Sequence, residues 1–386
     1  MSTFLFERNH SGCHQSFRFD RGFRIILTVL LTLTPLLVST HVLADGPAVG
    51  KSHTPPWADG AGFDLDADPA IPYFAQLGLL EWLDDPSSVP NVDLDAYHTL
   101  DHFIPLGDGR AIHAIETFTL RAWLKFWPRG VLLLNGSAFV ANHWSIPVQG
   151  YHGAQILADE KYHVFAVDFL GTGQSSRPPH GQDAEYEDNR EAMKTVLRYI
   201  RFFRGVHRVD LIGAGYGGAM GMELARDRRR VRSVATSAMI YREVQGGPLT
   251  DPGFIAFLQS LPSGYAPLQG NGSFIFMAGA PQAARDFVAV TQGGLFPVDN
   301  FLVAAQRPFF DPKVGRAPAL ILYGGLDFIA VRSDIEQLAE DYGRYGASAR
   351  FKVNEAAGHA PRTGSPEEAA WYWRKIVDFL RFPWAG

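Results

Sequence analysis

A carboxylate and a histidine near the C-terminus are the residues of this chain that could do acid–base chemistry. Asp327 follows the apolar run 319–323, and His359 follows a second run, 349–353. A histidine with a pKa near neutrality can take up a proton and return it, and a buried carboxylate fixes its tautomer and stabilises the imidazolium. Because both residues fall in loops that follow predicted strands, we predict an acid–base pair. The alternative for His359 is a structural or surface histidine.

A glycine stands where the pattern around it predicts a nucleophile. Residues 211–218, LIGAGYGG, predict a strand, a sharp turn and a helix, and they match the G-x-S-x-G nucleophile elbow except that Gly215 replaces the serine. No Ser, Cys or Asp comes into position 215 when the frame is shifted. The turn residue usually has a strained backbone that costs about 1–3 kcal/mol, which glycine relieves. An acyl-enzyme therefore cannot form through residue 215.

Short apolar segments alternate with helical patterns from about residue 98 onward. The predicted strands lie at 102–104, 111–115, 131–134, 164–167, 209–212, 231–236, 319–323 and 349–353. The predicted helices lie at 148–160, 185–203, 219–226, 333–342 and 366–379. This alternation predicts an α/β fold with a mostly parallel sheet and helices on both faces. It stops at 241–311, where Gly, Pro and aromatic residues but no clear strand occur, and this predicts an inserted lid or cap.

From about His98 to the C-terminus, roughly three-quarters of its length, the chain resembles the α/β-hydrolase superfamily, in particular its serine hydrolases and esterases. Asp327 and His359 match the acid and the base of that superfamily, in the chain order nucleophile, acid, histidine. Gly215 occupies the nucleophile position of the same pattern. The resemblance therefore implies a catalytic constellation that has kept its acid and base and lacks its nucleophile.

The resemblance also implies an oxyanion hole. Its donors would be the backbone N–H of Ser137, or of Ala138, and the backbone N–H of Tyr216, the residue after the elbow position. Two such amides aimed at a developing oxyanion contribute about 3–4 kcal/mol each. Residues 168–175 resemble the family's D-x-x-G-x-G-x-S loop, in which we interpret Asp168 as a loop-capping residue rather than as a catalytic acid.

Three functions from different classes fit these residues. In the one that we favour, His359 oriented by Asp327 deprotonates water or the substrate, and an ester or lactone is hydrolysed without a covalent intermediate. Elimination, cyclisation and C–C cleavage are further reactions of this kind. The second is a catalytically inactive descendant that binds a ligand in the pocket. The third is a carboxylic-ester hydrolase disabled by a Ser-to-Gly substitution, which predicts that Gly215→Ser restores esterase activity.

Aromatic residues in the insertion give a faint indication of the substrate. They are Phe254, Phe257, Tyr265, Phe274, Phe276, Phe287, Phe296 and Phe301, with Trp144 after the oxyanion loop. They are of the kind that lines an apolar pocket, and the alternative, which we favour for most of them, is that they form the insertion's own core. Our hypothesis for the substrate is a neutral, moderately large apolar small molecule. No phosphate loop, dinucleotide fingerprint or metal spacing occurs, so we expect no cofactor and no metal. His98 and His102 are expected to face opposite ways.

The N-terminus has the pattern of an export signal. Arg18, Arg21 and Arg24 precede the apolar stretch 25–38, and the small residues near Ala44 fit a cleavage site. We predict a signal peptide at 1–44, an N-terminal arm at 45–95, the core at 96–240 and 312–386, and the lid at 241–311. The protein is then periplasmic or secreted, and it contacts a membrane only if the segment stays uncleaved. A net charge of −5 gives no electrostatic footprint for nucleic acid.

Overall fold

The computed structural model describes residues 93–125, 127–268, 277, 279–291, 294–305, 308–344 and 347–384. The predicted signal peptide, residues 1–44, lies outside the described residues, as does the predicted arm apart from residues 93–95. Two of the predicted pocket aromatics, Phe274 and Phe276, also lie outside them. Within the described residues, no helix combines the length and the apolar character needed to cross a membrane.

Eight strands form the central sheet in the order β1-β2-β4-β3-β5-β6-β9-β10. They are β1 (Tyr97–Pro105), β2 (Ala111–Thr119), β3 (Arg129–Leu134), β4 (Tyr162–Val167), β5 (Val209–Ala214), β6 (Val231–Ser237), β9 (Ala319–Gly324) and β10 (Ala349–Asn354). The pairs β1–β2 and β2–β4 are antiparallel, and every other pair in the sheet is parallel. The predicted α/β fold with a mostly parallel sheet is confirmed.

Helices cover both faces of this sheet, and three further helices, α5 to α7 in the list below, lie in the segment between β6 and β9. They are α1 (Leu120–Trp123), α2 (Gly153–Asp159), α3 (Tyr186–Phe203), α4 (Tyr216–Leu224), α5 (Pro252–Gln259), α6 (Gln282–Thr291), α7 (Val298–Leu302), α8 (Arg332–Gly343) and α9 (Pro366–Arg381). Alternate residues of a strand point to opposite faces, and in β3 Leu132 and Leu134 join the core under α3, α4 and α8. Val131 and Leu133 join the core under α2 and α9. A strand buried on both faces explains the wholly apolar sequence of β3.

The segment between β6 and β9, called the insertion below, holds α5, α6, α7 and a separate two-stranded antiparallel sheet. Its strands are β7 (Tyr265–Leu268) and β8 (Gly294–Pro297). The expectation that this segment has no strand is therefore wrong. Each strand has four residues and one proline, so neither is long enough to give a period-two pattern in the sequence.

The expectation that His98 and His102 face opposite ways is also wrong. Both lie in β1 at positions of the same parity, and both point to its buried face. The Nε2 atom of His102 lies 3.0 Å from Oε2 of Glu116, and its Nδ1 lies 2.9 Å from the hydroxyl of Tyr199. These contacts make His102 part of the interior packing. In the described part of the chain, no three His, Cys, Asp or Glu side chains are grouped so that they could hold a metal ion.

Candidate active site

Gly215 forms the sharp turn between β5 and α4. Its backbone has φ of 51° and ψ of −116°, a region in which residues with a Cβ are strained. Its N–H donates to the carbonyl oxygen of Ser237 at 2.9 Å, and its own carbonyl accepts from the N–H of Ala219 at 3.0 Å. Hydrogen bonds to a neighbouring strand and to the following helix therefore hold the turn that the sequence pattern predicts.

The glycines of this turn differ in how much room surrounds them. A Cβ on Gly213 would lie 2.5 Å from the carbonyl oxygen of Gly217, and one on Gly217 would lie 2.3 Å from that of Asn135. A Cβ on Gly215 would have its nearest neighbour, the carbonyl oxygen of Ala238, at 3.4 Å. Packing therefore requires glycine at 213 and 217, whereas a side chain at 215 would fit in the available space.

Asp327 and His359 form the predicted pair. Nδ1 of His359 lies 2.7 Å from Oδ2 of Asp327, and both side chains are buried. The other carboxylate oxygen of Asp327 accepts from the N–H groups of Ile329 and Ala330 at 2.8 and 3.0 Å. These two bonds orient the carboxylate, and a hydrogen bond from Nδ1 leaves Nε2 of His359 as the basic nitrogen. The pair can therefore act as a general base.

The two predicted oxyanion donors lie at the same cavity. Tyr216 is the first residue of α4, so its N–H has no partner within the helix. Across the described residues, neither this N–H nor that of Ser137 donates to a backbone carbonyl. The N–H of Gly217 donates to the carbonyl of Asn135 at 2.9 Å, which joins the start of α4 to the loop that carries Ser137. Both amides are thus available to an oxygen atom in the cavity.

A cavity of 470 Å³ brings the predicted site residues together. Gly215, His359, Ser137 and Tyr216 all line it, together with many apolar side chains. The insertion contributes a wall of eight large apolar residues: Ile240, Leu249, Phe254, Phe257, Leu258, Phe296, Phe301 and Phe309. A cavity of this size and character suits a mostly apolar small molecule.

Sequence comparison decides the family. The model of the alpha/beta hydrolase family matches residues 131–370, which is more than half of the chain. The chain belongs to the alpha/beta hydrolase family. No curated protein sequence matches this α/β-hydrolase.

Solved structures of similar fold include three hydrolases or esterases. A hydrolase from Pseudomonas aeruginosa PA01 has 16% identity and a TM-score of 0.54, covering 72% of this chain and 98% of that one. An esterase from Exiguobacterium antarcticum has 19% identity and a TM-score of 0.54, covering 73% and 100%. A putative aryl esterase from Burkholderia cenocepacia has 14% identity and a TM-score of 0.53, covering 74% and 100%. At these identities the similarity shows the fold alone.

The predicted aromatic pocket is present only in part. Phe254, Phe257, Phe296 and Phe301 line the cavity of the α/β-hydrolase. Trp144 is instead fully buried against Trp373, and the hydroxyl of Tyr265 donates to the carbonyl of Pro178 at 2.8 Å. Both side chains therefore belong to the interior packing, which is the alternative that the sequence left open.

Arg362 and Asn300 are among the polar cavity residues that were not singled out from the sequence. Arg362 lines the cavity three residues after His359, and Asn300 lines it from α7. The position of Arg362 just beyond the histidine was a signal that could have drawn attention to it. Asn300 gave no such signal, because only the folding of the insertion over the sheet brings it to the site.

Asp168 caps its loop as predicted. Its Oδ1 accepts from the N–H of Ala141 at 2.6 Å, and its Oδ2 accepts from the N–H of Gln174 at 3.0 Å. Oδ2 also lies 2.8 Å from Nδ1 of His113. With both oxygens occupied in this way, Asp168 holds the loop after β4 against the loop after β3.

Proposed function

We propose that this α/β-hydrolase hydrolyses an apolar carboxylic ester or lactone in one step, with water as the nucleophile. The observation that carries the proposal is the meeting of three features in one cavity. They are the His359–Asp327 pair, two backbone amides without backbone acceptors, and the space above Gly215 that a side chain would otherwise fill. A binding protein would need the apolar walls but not this combination.

The proposed reaction needs one base and one oxyanion site. Nε2 of His359 accepts a proton from a water molecule near Gly215 as the water oxygen attacks the carbonyl carbon of the ester. The N–H groups of Ser137 and Tyr216 donate to the oxyanion, and Asp327 stabilises the imidazolium. Collapse of the tetrahedral intermediate breaks the bond to the leaving alkoxide, which takes the proton from His359. The products are one carboxylic acid and one alcohol.

The test is turnover of p-nitrophenyl acyl esters of increasing chain length by the full chain. We expect hydrolysis that His359→Ala abolishes, because this variant lacks the base that accepts the proton from water. His180→Ala is the matched control, since His180 is exposed and does not line the cavity. The control should retain the wild-type rate. Equal rates for the wild type and His359→Ala would contradict the proposal.

The turn at Gly215 favours a second candidate function, a carboxylic-ester hydrolase that has lost its serine. A φ of 51° is strained for any residue with a side chain, so a turn of this shape is expected where a side chain has to be presented. The space for that side chain is still there. On this hypothesis the wild type is inactive and Gly215→Ser is active. An inactive Gly215→Ser that still binds apolar ligands would instead support the binding-protein alternative.

Export stays a separate proposal. It rests on the basic residues, the apolar stretch and the small residues of the segment 1–44. Expression of the full chain in a Gram-negative bacterium and mass measurement of the protein from the periplasm would test it. A mass that corresponds to a chain beginning at Asp45 supports a cleaved signal peptide. The full mass in the membrane fraction supports the uncleaved anchor instead.

A further inference from the structure

The cavity wall carries a positive charge without a matching negative one. Among the described residues that line it, Arg362 is the only permanently charged side chain, and none is Asp or Glu. The carboxylate of Asp327 lies behind His359, to which it is hydrogen bonded. A bound molecule therefore meets one guanidinium group and mostly apolar walls.

Arg362 is buried at the cavity and has no carboxylate partner among the described residues. The residue is 6% exposed, and its guanidinium group has five N–H donors. Nη1 donates to the carbonyl oxygen of His143 at 2.7 Å, and the guanidinium carbon lies 3.9 Å from the centre of the Trp144 ring. Burial lowers the pKa of Arg362 to about 10, and no carboxylate in the described part of the chain opposes this.

These contacts compensate the charge only in part. A cation–π contact stabilises a desolvated cation, but the desolvation cost of a buried ion without a counter-ion is larger. The charge is also felt across the cavity, since burial and the charge of Arg362 both lower the pKa of His143, another lining residue. An anion in the cavity would remove this imbalance.

Asn300 supplies an independent second observation. It lines the same cavity, is 1% exposed and sits on α7, in the insertion. Its Oδ1 accepts from Nδ2 of Asn189 at 3.4 Å, whereas its own Nδ2 has no hydrogen-bond partner among the described residues. A buried donor left without an acceptor costs about 1–3 kcal/mol. The cavity wall thus holds a cation without a carboxylate partner among the described residues and a neutral donor without an acceptor.

We propose that Arg362 binds a carboxylate of the substrate, so that the preferred substrates are apolar esters that carry one carboxylate away from the reacting ester bond. One guanidinium matches one carboxylate in charge and in planar geometry. A phosphate dianion would need further cations, which the lining does not contain. This inference rests on the proposed function, whose substrate class it specifies, and it replaces the expectation of a neutral substrate.

The kinetic test compares two esters that differ in a single charge. The mono-p-nitrophenyl ester of adipic acid carries a free carboxylate, and its methyl ester is the neutral partner. We expect the wild type to favour the carboxylate ester by at least about tenfold in kcat/KM, since a charged hydrogen-bonded pair is worth about 1.5–3 kcal/mol. Arg362→Met should bring the ratio to about one, mostly through the KM of the carboxylate ester. Arg362→Lys keeps the charge and should keep part of the preference.

A purely structural role for Arg362 predicts a different result. The residue joins the loop after His359 to residues 143 and 144, so its loss could displace the base. In that case Arg362→Met would lower kcat for both esters by the same factor, and the proposal would be overturned. Arg226→Met is the control, because Arg226 is exposed and does not line the cavity. Circular dichroism verifies that each variant is folded.

A binding measurement separates this proposal from the proposed function. Calorimetry on the full chain compares 8-phenyloctanoate with 8-phenyloctanamide, which has the same apolar body without the charge. Tighter binding of the carboxylate that Arg362→Met removes supports the carboxylate site, even if no ester is hydrolysed. Equal affinities in a protein that does hydrolyse esters would overturn the carboxylate site alone.

Discussion

At the scale of single residues, Gly215 combines a special backbone with an absent side chain. Its positive φ is the conformation that directs a side chain away from both the strand and the helix, and the nearest atom to a Cβ there would be 3.4 Å away. Glycine adopts this conformation at no steric cost. The geometry of the turn therefore persists although residue 215 has no group to present.

Gly215→Ser should form an acyl-enzyme and lower the stability of the fold. The hydroxyl would enter the space next to His359, and the strained backbone would cost about 1–3 kcal/mol. Mass spectrometry after reaction with p-nitrophenyl butyrate should detect the acyl adduct, and urea unfolding should detect the cost. Gly215→Ala is the control, with the same backbone strain and no adduct. A folded serine variant without an adduct would count against the disabled-esterase hypothesis.

At the scale of elements, the contact between α4 and the loop after β3 sets the distance between the two oxyanion amides. Gly217 makes that contact through its N–H, which donates to the carbonyl of Asn135. On its other side the Asn135 side chain donates to the carbonyl of Val167 at 2.8 Å, at the end of β4. The backbone and the side chain of Asn135 thus join three neighbouring elements, the start of α4, the loop after β3 and the end of β4, at the carboxyl edge of the sheet.

Gly217→Ala should reduce both turnover and stability. Its Cβ would lie 2.3 Å from the Asn135 carbonyl, so α4 must move and the amides of Ser137 and Tyr216 must separate. We expect a loss of stability of about 1–3 kcal/mol and a fall in kcat of at least tenfold, because one misplaced oxyanion donor costs about 10²–10³ in rate.

Gly221→Ala is the matched control in the same helix. Its Cβ would be 3.2 Å from a methyl group of Val234, which can shift more easily than a backbone atom. Alanine also favours the helix by about 1 kcal/mol over glycine. We therefore expect near-wild-type turnover for this variant. Equal effects of the two substitutions on kcat would show that the approach at Gly217 does not control the site.

At the scale of the whole molecule, the features that could be predicted from the sequence are those that a local pattern of residues determines. The strands β3, β4 and β5 were predictable because both of their faces are buried, which makes their sequences apolar. The turn at Gly215 was predictable because close packing requires the glycines around it. β7 and β8 were missed because a strand of four residues is too short to show the alternation of apolar and polar residues that identifies a strand. Asn300 was missed as a cavity residue because only the folding of the insertion over the sheet brings it there, for which no local pattern exists. Arg362 was missed although its position three residues after His359 was a signal.

Stability should decrease in mild acid because of His143. Burial, and then the charge of Arg362, hold the pKa of His143 well below its usual value near 6.5. The unfolded chain therefore binds a proton that the folded protein excludes, so stability is lost as the pH falls below the unfolded pKa. At pH 5.5 the loss relative to pH 7.5 from this residue alone is at most about 1.4 kcal/mol.

Urea unfolding at pH 7.5 and 5.5 measures this loss directly. His143→Gln keeps a neutral side chain of similar size, so the difference in stability between the two pH values should shrink, by at most about 1.4 kcal/mol, whatever the variant's stability at pH 7.5. His180→Gln, at an exposed position, should leave the difference unchanged. If His143→Gln also leaves it unchanged, the folded protein accommodates the imidazolium of His143 beside Arg362. The cavity would then tolerate two adjacent cations without a bound anion. This result would weaken the argument that the charge of Arg362 attracts a carboxylate.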